Sequence, residues 1–244
     1  MLKTTLALTL TLITLTVNAM SFGTAKHKLN DIYKNAPYTF YCNCEISWDL
    51  DTNKPSPLPQ KCGYIARNPV TSSGKHNKRS TRVEWEHKIS AEEFGRQLGC
   101  WVPYVDENGK RRSARYNCQR NSDIFKNMEG DLFNLEPAVG EINGDRSNFR
   151  YSMIEGEERV YGACDAEVDF KQRVFEPMPT IRGDIARTYL YFILEYGMKV
   201  SKKQKQLYDA WNKLDPVSPQ ECKIHALKAK EMKKENPFVA ERCD

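Results

Sequence analysis

The sequence predicts an α+β fold: a single mixed α/β domain, disulfide-stapled. Two observations carry the prediction. Short strand-like segments come early and long helical patterns fill the last third, and eight cysteines are spread along the chain. No segment reads as a linker long enough to divide the chain, and 244 residues suit one large domain. A hydrophobic share of 40% and a charged share of 28% are compatible with a packed core. No run of 18 apolar residues occurs, which excludes an ordinary transmembrane helix. No period of a collagen, coiled coil or repeat array is present. The net charge of +5 permits an anionic partner without requiring one.

Taken in order, residues 1–19 read as a secretory signal peptide. Lys3 supplies the positive start, Leu6 to Val17 the apolar stretch, and Val17-Asn18-Ala19 the small residues before cleavage. The Leu/Thr alternation from Leu8 to Thr11 also fits a buried strand, but the flanks favour export. Cleavage removes Lys3 and leaves +4 on residues 20–244. All eight cysteines follow the cleavage point, and an even number in an exported chain reads as four disulfides. Short loops favour Cys100–Cys118 and Cys222–Cys243; Cys44–Cys62 and Cys42–Cys164 complete the set. The competing reading of Cys42, Cys44 and Cys62 is a zinc site, although zinc usually takes a two-residue spacing.

Residues 24–34 carry a helical pattern with Leu29, Ile32 and Tyr33 on one face. Pro55, Pro57 and Pro59 make 51–61 an exposed loop. A short strand over 62–67 leads into a polar, basic loop at 68–81. A strand over 82–89 and a short helix over 92–98 follow. Residues 101–120 form a long loop pinned by Cys100 and Cys118. Ser122 is placed to cap a helix reaching to 135. Gly140, Asn143 and Gly144 mark turns, and 168–175 is strand-like. Helices are expected over 183–196, 202–213 and 219–234.

Charge is uneven. Residues 67–88 hold six Lys/Arg against two Glu, whereas residues 129–145 hold five acids and no base. The basic loops at 67–82 and 110–120 are candidates for phosphate contact. The lysines of 199–234 read as a solvated helical face. Of the four histidines, His27 and His225 lie in expected helices and are assigned to solvent, and His76 sits in a basic loop. His87 closes the run from Arg82 and follows Glu86. An imidazole suits a general base, a carboxylate and the amide of Asn134 suit a hard cation. On a regular strand Glu86 and His87 face opposite sides, so a shared site requires the strand to bend or end there. HExxH and the serine nucleophile elbow are absent. Trp85 reads as core, and Asp145 with Arg146 as a structural turn pair.

The string Arg82-Val83-Glu84-Trp85-Glu86-His87 resembles the bacterial endonuclease I family of periplasmic and secreted deoxyribonucleases. So do Cys62 to Arg67, Asp131 to Gly140, Glu141 to Arg146, Asp184 to Tyr189, Ala210 to Lys213 and Asn236 to Val239. These blocks run in order from about residue 25 to the C-terminus. The resemblance implies a ββα-metal finger on the α/β body and a metal-dependent endonuclease that cuts DNA and RNA without sequence preference, leaving 5′-phosphate ends. It implies His87 as general base, Glu86 and Asn134 as ligands of one Mg²⁺ (Ca²⁺ or Mn²⁺ as substitutes), and Arg115 and Arg67 facing phosphate. A periplasmic or secreted monomer without a membrane partner is expected. Phe133 departs from the family, which often has histidine there, and the loop 101–117 is longer than in many relatives. A catalytically idle nucleic-acid-binding protein on the same fold is the alternative. A disulfide-stapled adhesion or inhibitor module would explain the cysteines but not the ordered motifs.

Overall fold

The computed structural model describes residues 20–156 and 158–243. The expected signal peptide, residues 1–19, lies outside the described residues. Helix α1 (Phe22–Tyr33) opens on the side chain of Ser21, which accepts from the amide of Thr24, and buries Ala25, Leu29, Ile32 and Tyr33. Strand β1 (Ile46–Trp48) pairs antiparallel with β2 (Pro55–Pro57). The expected proline loop therefore contains a short strand. Pro55 and Pro57 are tolerated because β2 is paired on one side only, where a missing N–H does no harm. Residues 62–67 join no sheet; Tyr64 alone makes a bridge, to Gly162.

Strand β3 (Val83–His87) leads through the cap Ser90 into α2 (Ala91–Gly95). The stretch expected as a loop then holds a hairpin of β4 (Tyr104–Val105) and β5 (Arg111–Arg112), followed by α3 (Ala114–Asn121). Ser122 caps α4 (Asp123–Glu129) as expected, but that helix ends at Gly130, not at 135. The helical spacing of Phe125, Met128 and Leu132 runs through the break and disguises it in sequence. A 3₁₀ turn at Leu132–Asn134 then delivers β6 (Leu135–Val139), where Pro137 bars a continuing helix. The expected turns around Gly140 to Gly144 form α5 (Gly140–Arg146).

Strand β7 (Arg150–Tyr151) precedes a hairpin of β8 (Ala166–Asp169) and β9 (Val174–Pro177), which replaces the single strand expected at 168–175. The C-terminal third is helical as expected, with α6 (Arg182–Tyr196), α7 (Lys202–Leu214), α8 (Pro219–Met232) and the short α9 (Pro237–Ala240). The sheets are small: β3 pairs antiparallel with β6, and β9 lies between β7, to which it is parallel, and β8. Among the described residues no helix is long and apolar enough to cross a membrane.

All four expected disulfides are present: Cys42–Cys164, Cys44–Cys62, Cys100–Cys118 and Cys222–Cys243. The zinc reading of Cys42, Cys44 and Cys62 fails, since each sulfur is bonded to another cysteine. Cys42–Cys164 closes a separation of 122 residues and ties the segment before β1 to the approach to β8. His225 departs from its solvent assignment. It is buried, stacked on Phe133 with ring centroids 5.2 Å apart, and Nε2 accepts from the amide of Asn236 at 3.0 Å. Phe133 thus packs on an imidazole from α8.

Candidate active site

The site is built where β3 ends. His87 is the last residue of β3, opposite Leu135 of β6, and the chain leaves the sheet at Lys88. That ending lets adjacent residues reach one cleft. Phe22, Trp85, Glu86, His87, Arg115 and Asn143 all line a cleft of about 620 Å³. The fully buried Arg146 fixes the strand end from below. Its Nη1 donates to the carbonyl of His87 at 2.9 Å and its Nη2 to that of Lys88 at 2.6 Å, and Nη1 pairs with Glu86 Oε1 at 3.0 Å. Asp145 and Arg146 do not form the expected turn pair. Asp145 instead takes the phenol of Tyr161 at 2.6 Å and the guanidinium of Arg67.

His87 Nε2 lies 2.9 Å from the carbonyl oxygen of Glu129, the last residue of α4. A carbonyl only accepts, so Nε2 carries the proton and the neutral ring keeps its lone pair on Nδ1. Burial pushes the His87 pKa down to about 3, aided by the charges of Arg115 and Arg146 and opposed by the bond to Glu129. Phe22 packs against the ring with centroids 4.7 Å apart. Arg115 donates from Nε to Glu129 Oε1 at 2.7 Å, with its guanidinium 5.6 Å from the Phe22 ring centre.

Glu86 is 4% exposed. Burial raises its pKa above the ordinary carboxylate range, against the opposing influence of Arg146 and of the Tyr41 hydroxyl, which donates to Oε1 at 2.8 Å. The cleft therefore holds a carboxylate whose loss of hydration Arg146 and Tyr41 do not fully offset, a setting that a cation improves. Among the described residues no three His, Cys, Asp or Glu side chains gather as a metal cluster. The cleft wall carries two carboxylates, Glu86 and Glu92, and two side-chain amides, Asn143 and Asn148. Glu92 is engaged by Arg96 and by Nδ2 of Asn148, and Oδ1 of Asn148 by Arg173. A hard cation that keeps several waters fits this set; a soft-metal site does not.

The structure brings Glu86, His87 and Arg115 together and leaves two expected residues out. Asn134 is not among the residues lining the cleft. Its Oδ1 accepts from the amide of Ile89 at 2.7 Å and its Nδ2 donates to the carbonyl of Ile89 at 3.0 Å. Both ends of the side chain are thus engaged by the main chain of one residue, Ile89, and Asn134 locks the turn before β6 to the exit of β3. Arg67 also lies outside the cleft wall, forked on Asp145 Oδ2 at 3.1 and 2.9 Å and stacked 4.7 Å from the Phe170 ring centre. Arg112 is held by Asp106 in the β4–β5 hairpin, which leaves Arg115 as the arginine beside His87. Trp85, expected as core, is half-buried: it packs against the cluster of Leu29, Ile32 and Tyr33, with the Tyr33 ring at 5.6 Å, and also lines the cleft.

Sequence reasoning missed Asn143, Arg146, Tyr41, Glu129 and Phe22. The signal for the first two was present, since Glu141 to Arg146 is one of the blocks singled out, but it was read as turn and ion pair rather than as a helix facing β3. A second cavity, of about 340 Å³ around Glu136, Asp184 and Lys228, shares no residue with the cleft.

A buried histidine, a carboxylate and an arginine thus line one cleft, with Arg79 of the basic segment before β3 at its wall. The chain belongs to the endonuclease I family: the model of that family, "Endonuclease I", matches residues 10–243. It is 41% identical over 227 residues to an extracellular deoxyribonuclease of Aeromonas hydrophila, covering 93% of this chain and 90% of that one. A periplasmic deoxyribonuclease of the same organism is 39% identical over 92% of this chain and 87% of its own. Endonuclease-1 of Buchnera aphidicola subsp. Acyrthosiphon pisum (strain APS) is 38% identical over 87% of this chain and 77% of its own.

Proposed function

We propose that the protein is an exported, metal-dependent endonuclease that hydrolyses phosphodiester bonds of DNA, and of RNA, without sequence preference. The observation that supports this most is the single cleft lined by Glu86, His87, Arg115 and Asn143, in a chain whose relatives are named deoxyribonucleases. In this reading β3, β6 and α5 are the two strands and helix of a ββα-metal finger. Glu86 and Asn143 hold one Mg²⁺, replaceable by Ca²⁺ or Mn²⁺; Asn143 takes the role expected of Asn134. When bound, that ion neutralises charge on the scissile phosphate and the leaving 3′-oxygen.

The protein's residues do the rest. Nδ1 of His87 accepts a proton from the attacking water while Glu129 holds the opposite ring nitrogen. The water oxygen bonds to phosphorus, the bond to the 3′-oxygen breaks, and solvent protonates that oxygen, leaving a 5′-phosphate and a 3′-hydroxyl. Arg115 faces the phosphate and stabilises the negative charge that builds on it. Arg67, tied to Asp145, contacts phosphate only at the edge of a longer bound strand. Contacts to backbone rather than bases make cutting indifferent to sequence. Export through residues 1–19 delivers a monomer to the periplasm or the medium, where its disulfides persist.

The test is a plasmid-nicking assay with and without a chelator, with mapping of the cut ends. Nicking that stops with chelator and resumes with Mg²⁺ supports the reading. DNA binding without cleavage would favour an idle binding protein, and one dominant cut sequence would refute nonspecific cleavage.

A further inference from the structure

Helix α5 approaches the start of β3 through a set of polar contacts that the reaction above does not use. Glu84 is at their centre. Its Oε2 accepts from Nδ2 of Asn143 at 3.0 Å and from Nη2 of Arg79 at 2.5 Å. Its Oε1 accepts from Nε of Arg79 at 3.0 Å, and from Nε and Nη2 of Arg82 at 2.8 and 2.5 Å. Two guanidinium groups thus pin one carboxylate, whose side chain is 18% exposed. Two glycines make room for it. A Cβ on Gly140 would lie 3.0 Å from Glu84 Cδ and 2.8 Å from the carbonyl of Arg79, and one on Gly144 would lie 2.3 Å from Nη1 of Arg79. The Gly140-Glu141-Ile142-Asn143-Gly144 string is therefore shaped around Glu84 and Arg79 as well as around the cleft.

We propose that Glu84 is a positioning residue for the cation site: by accepting from Nδ2 of Asn143 it fixes which end of that amide faces the cleft, and so presents Oδ1 to the metal. This rests on the reading of Asn143 as a ligand. A primary amide has one oxygen and one nitrogen at nearly the same reach, and only the oxygen binds a hard cation. A carboxylate accepts and never donates, so it tolerates the NH₂ end and rejects the oxygen end. Arg79 and Arg82 hold Glu84 in place and occupy its remaining lone pairs, leaving Oε2 directed at Asn143. The carboxylate sets the amide's orientation before the ion arrives.

The experiment is calorimetric titration of the folded protein with Mn²⁺ alone, across a double-mutant cycle. Asn143→Ala removes the ligand and Glu84→Ala removes the acceptor; each is expected to weaken Mn²⁺ binding by roughly 10–100-fold, as loss of a supporting partner commonly does. Asn143→Asp carries oxygen on both ends, so orientation no longer matters. In that background Glu84→Ala should weaken binding less than about twofold, or strengthen it by removing a facing carboxylate. Equal weakening in both backgrounds means Glu84 is only structural and overturns the proposal. If Asn143→Ala binds Mn²⁺ as the wild type does, the ligand reading itself falls; if only the Glu84 variant does, the positioning role falls alone. A measurement on the wild type needs no variant to fold. With Mg²⁺ added, the Asn143 side-chain carbon should shift in NMR while its NH₂ protons stay protected from exchange. Freely exchanging NH₂ protons in the metal-loaded protein would overturn the inference.

Discussion

The main-chain carbonyl of Glu129 lies 2.9 Å from Nε2 of His87 and accepts its hydrogen bond. The carboxylate of the same residue holds Nε of Arg115 at 2.7 Å and the amide of Gln119 at 2.8 and 3.0 Å. One residue at the end of α4 therefore addresses His87 through its backbone and Arg115 through its side chain. The tautomer of His87 survives any substitution at 129 that keeps the backbone, whereas the aim of Arg115 does not.

His87→Ala should lower the single-turnover cleavage rate by about 10²–10⁴, the usual worth of a positioned acid–base group. DNA affinity measured in Ca²⁺ should change little, because a neutral imidazole forms no ion pair with phosphate. Arg115→Ala should lower the rate as well, by removing charge beside the phosphate, and by more than Arg67→Ala. Near wild-type cleavage by the His87 variant would place the base elsewhere.

The pH dependence has a definite sign. Burial, with Arg115 and Arg146, sets the His87 pKa at about 3 in the folded protein, against an ordinary value of about 6.5. His87 is thus already neutral at mildly acidic pH, and the single-turnover rate should show no His87 limb near pH 6.5. Arg115→Gln removes one depressing charge, so the acid limb of that variant should move upward. Linkage has the same origin: the unfolded histidine binds a proton below about 6.5 and the folded one does not. The contribution to stability is complete above that value and is lost as pH falls towards the folded pKa. Denaturation profiles of wild type and His87→Gln between pH 7 and 4 should converge as this contribution disappears.

The helical third was legible because its patterns are long and periodic: α6, α7 and α8 begin within one residue of their expected starts. Cys100–Cys118 and Cys222–Cys243 were legible from their short loops, whereas Cys44–Cys62 and Cys42–Cys164 only completed the set. The break at Gly130 was not, since apolar spacing continued across it while the hydrogen bonding changed from α4 to a 3₁₀ turn. At the site, Glu86 and His87 could be read from their run, but their convergence depends on the strand ending at 87. Asn134 and Asn143 are equal as residue types. Only the fold decides which amide is spent on the main chain of Ile89 and which meets the cleft. Phe22, Tyr41 and Arg146 act through tertiary contacts that no local pattern announces.

The two asparagines can be separated by measurement. Asn143→Ala and Glu86→Ala should weaken Mn²⁺ binding, because each removes an oxygen that only water can replace. Asn134→Ala should leave Mn²⁺ affinity near wild type but destabilise the fold by about 1–3 kcal/mol, since it strips these partners from the main-chain N–H and C=O of buried Ile89. Calorimetry and denaturant titration on the three variants check this. Weakened metal binding in Asn134→Ala with normal binding in Asn143→Ala would reverse the assignment.

Thiol titration of the denatured, unreduced protein should find no free cysteine among the eight, since every one is paired. Loop-closure entropy predicts about 3 kcal/mol for a bridge over 18 residues and about 5 kcal/mol for Cys42–Cys164, which spans 122. Replacing Cys42 and Cys164 by alanine should therefore lower the denaturation midpoint more than replacing Cys44 and Cys62. The opposite order would mean that the denatured chain already restrains the long loop.

The buried charge cluster around Glu136 of β6 should govern stability rather than cleavage. Glu136 accepts from Lys88 at 3.1 Å, from Lys228 at 2.7 Å and from the Tyr33 hydroxyl. Burial works against its charge, yet Lys228 and Lys88 hold its pKa below the ordinary value, while burial brings Lys228 down to about 8. Because the folded pKa of Glu136 is depressed, its contribution is present above the unfolded value of about 4.3 and is lost as pH falls through the folded one. Glu136→Gln leaves two buried ammonium groups facing an uncharged amide, a loss of about 3–5 kcal/mol for a broken buried pair. Adding Lys228→Met should restore part of that stability, because one unpaired charge leaves with it. None of these side chains lines the cleft, so cleavage per folded molecule should stay near wild type. Denaturant midpoints and the rate of the surviving folded fraction test both halves. A Glu136→Gln protein that is fully stable but inactive would show that the cluster serves the reaction instead.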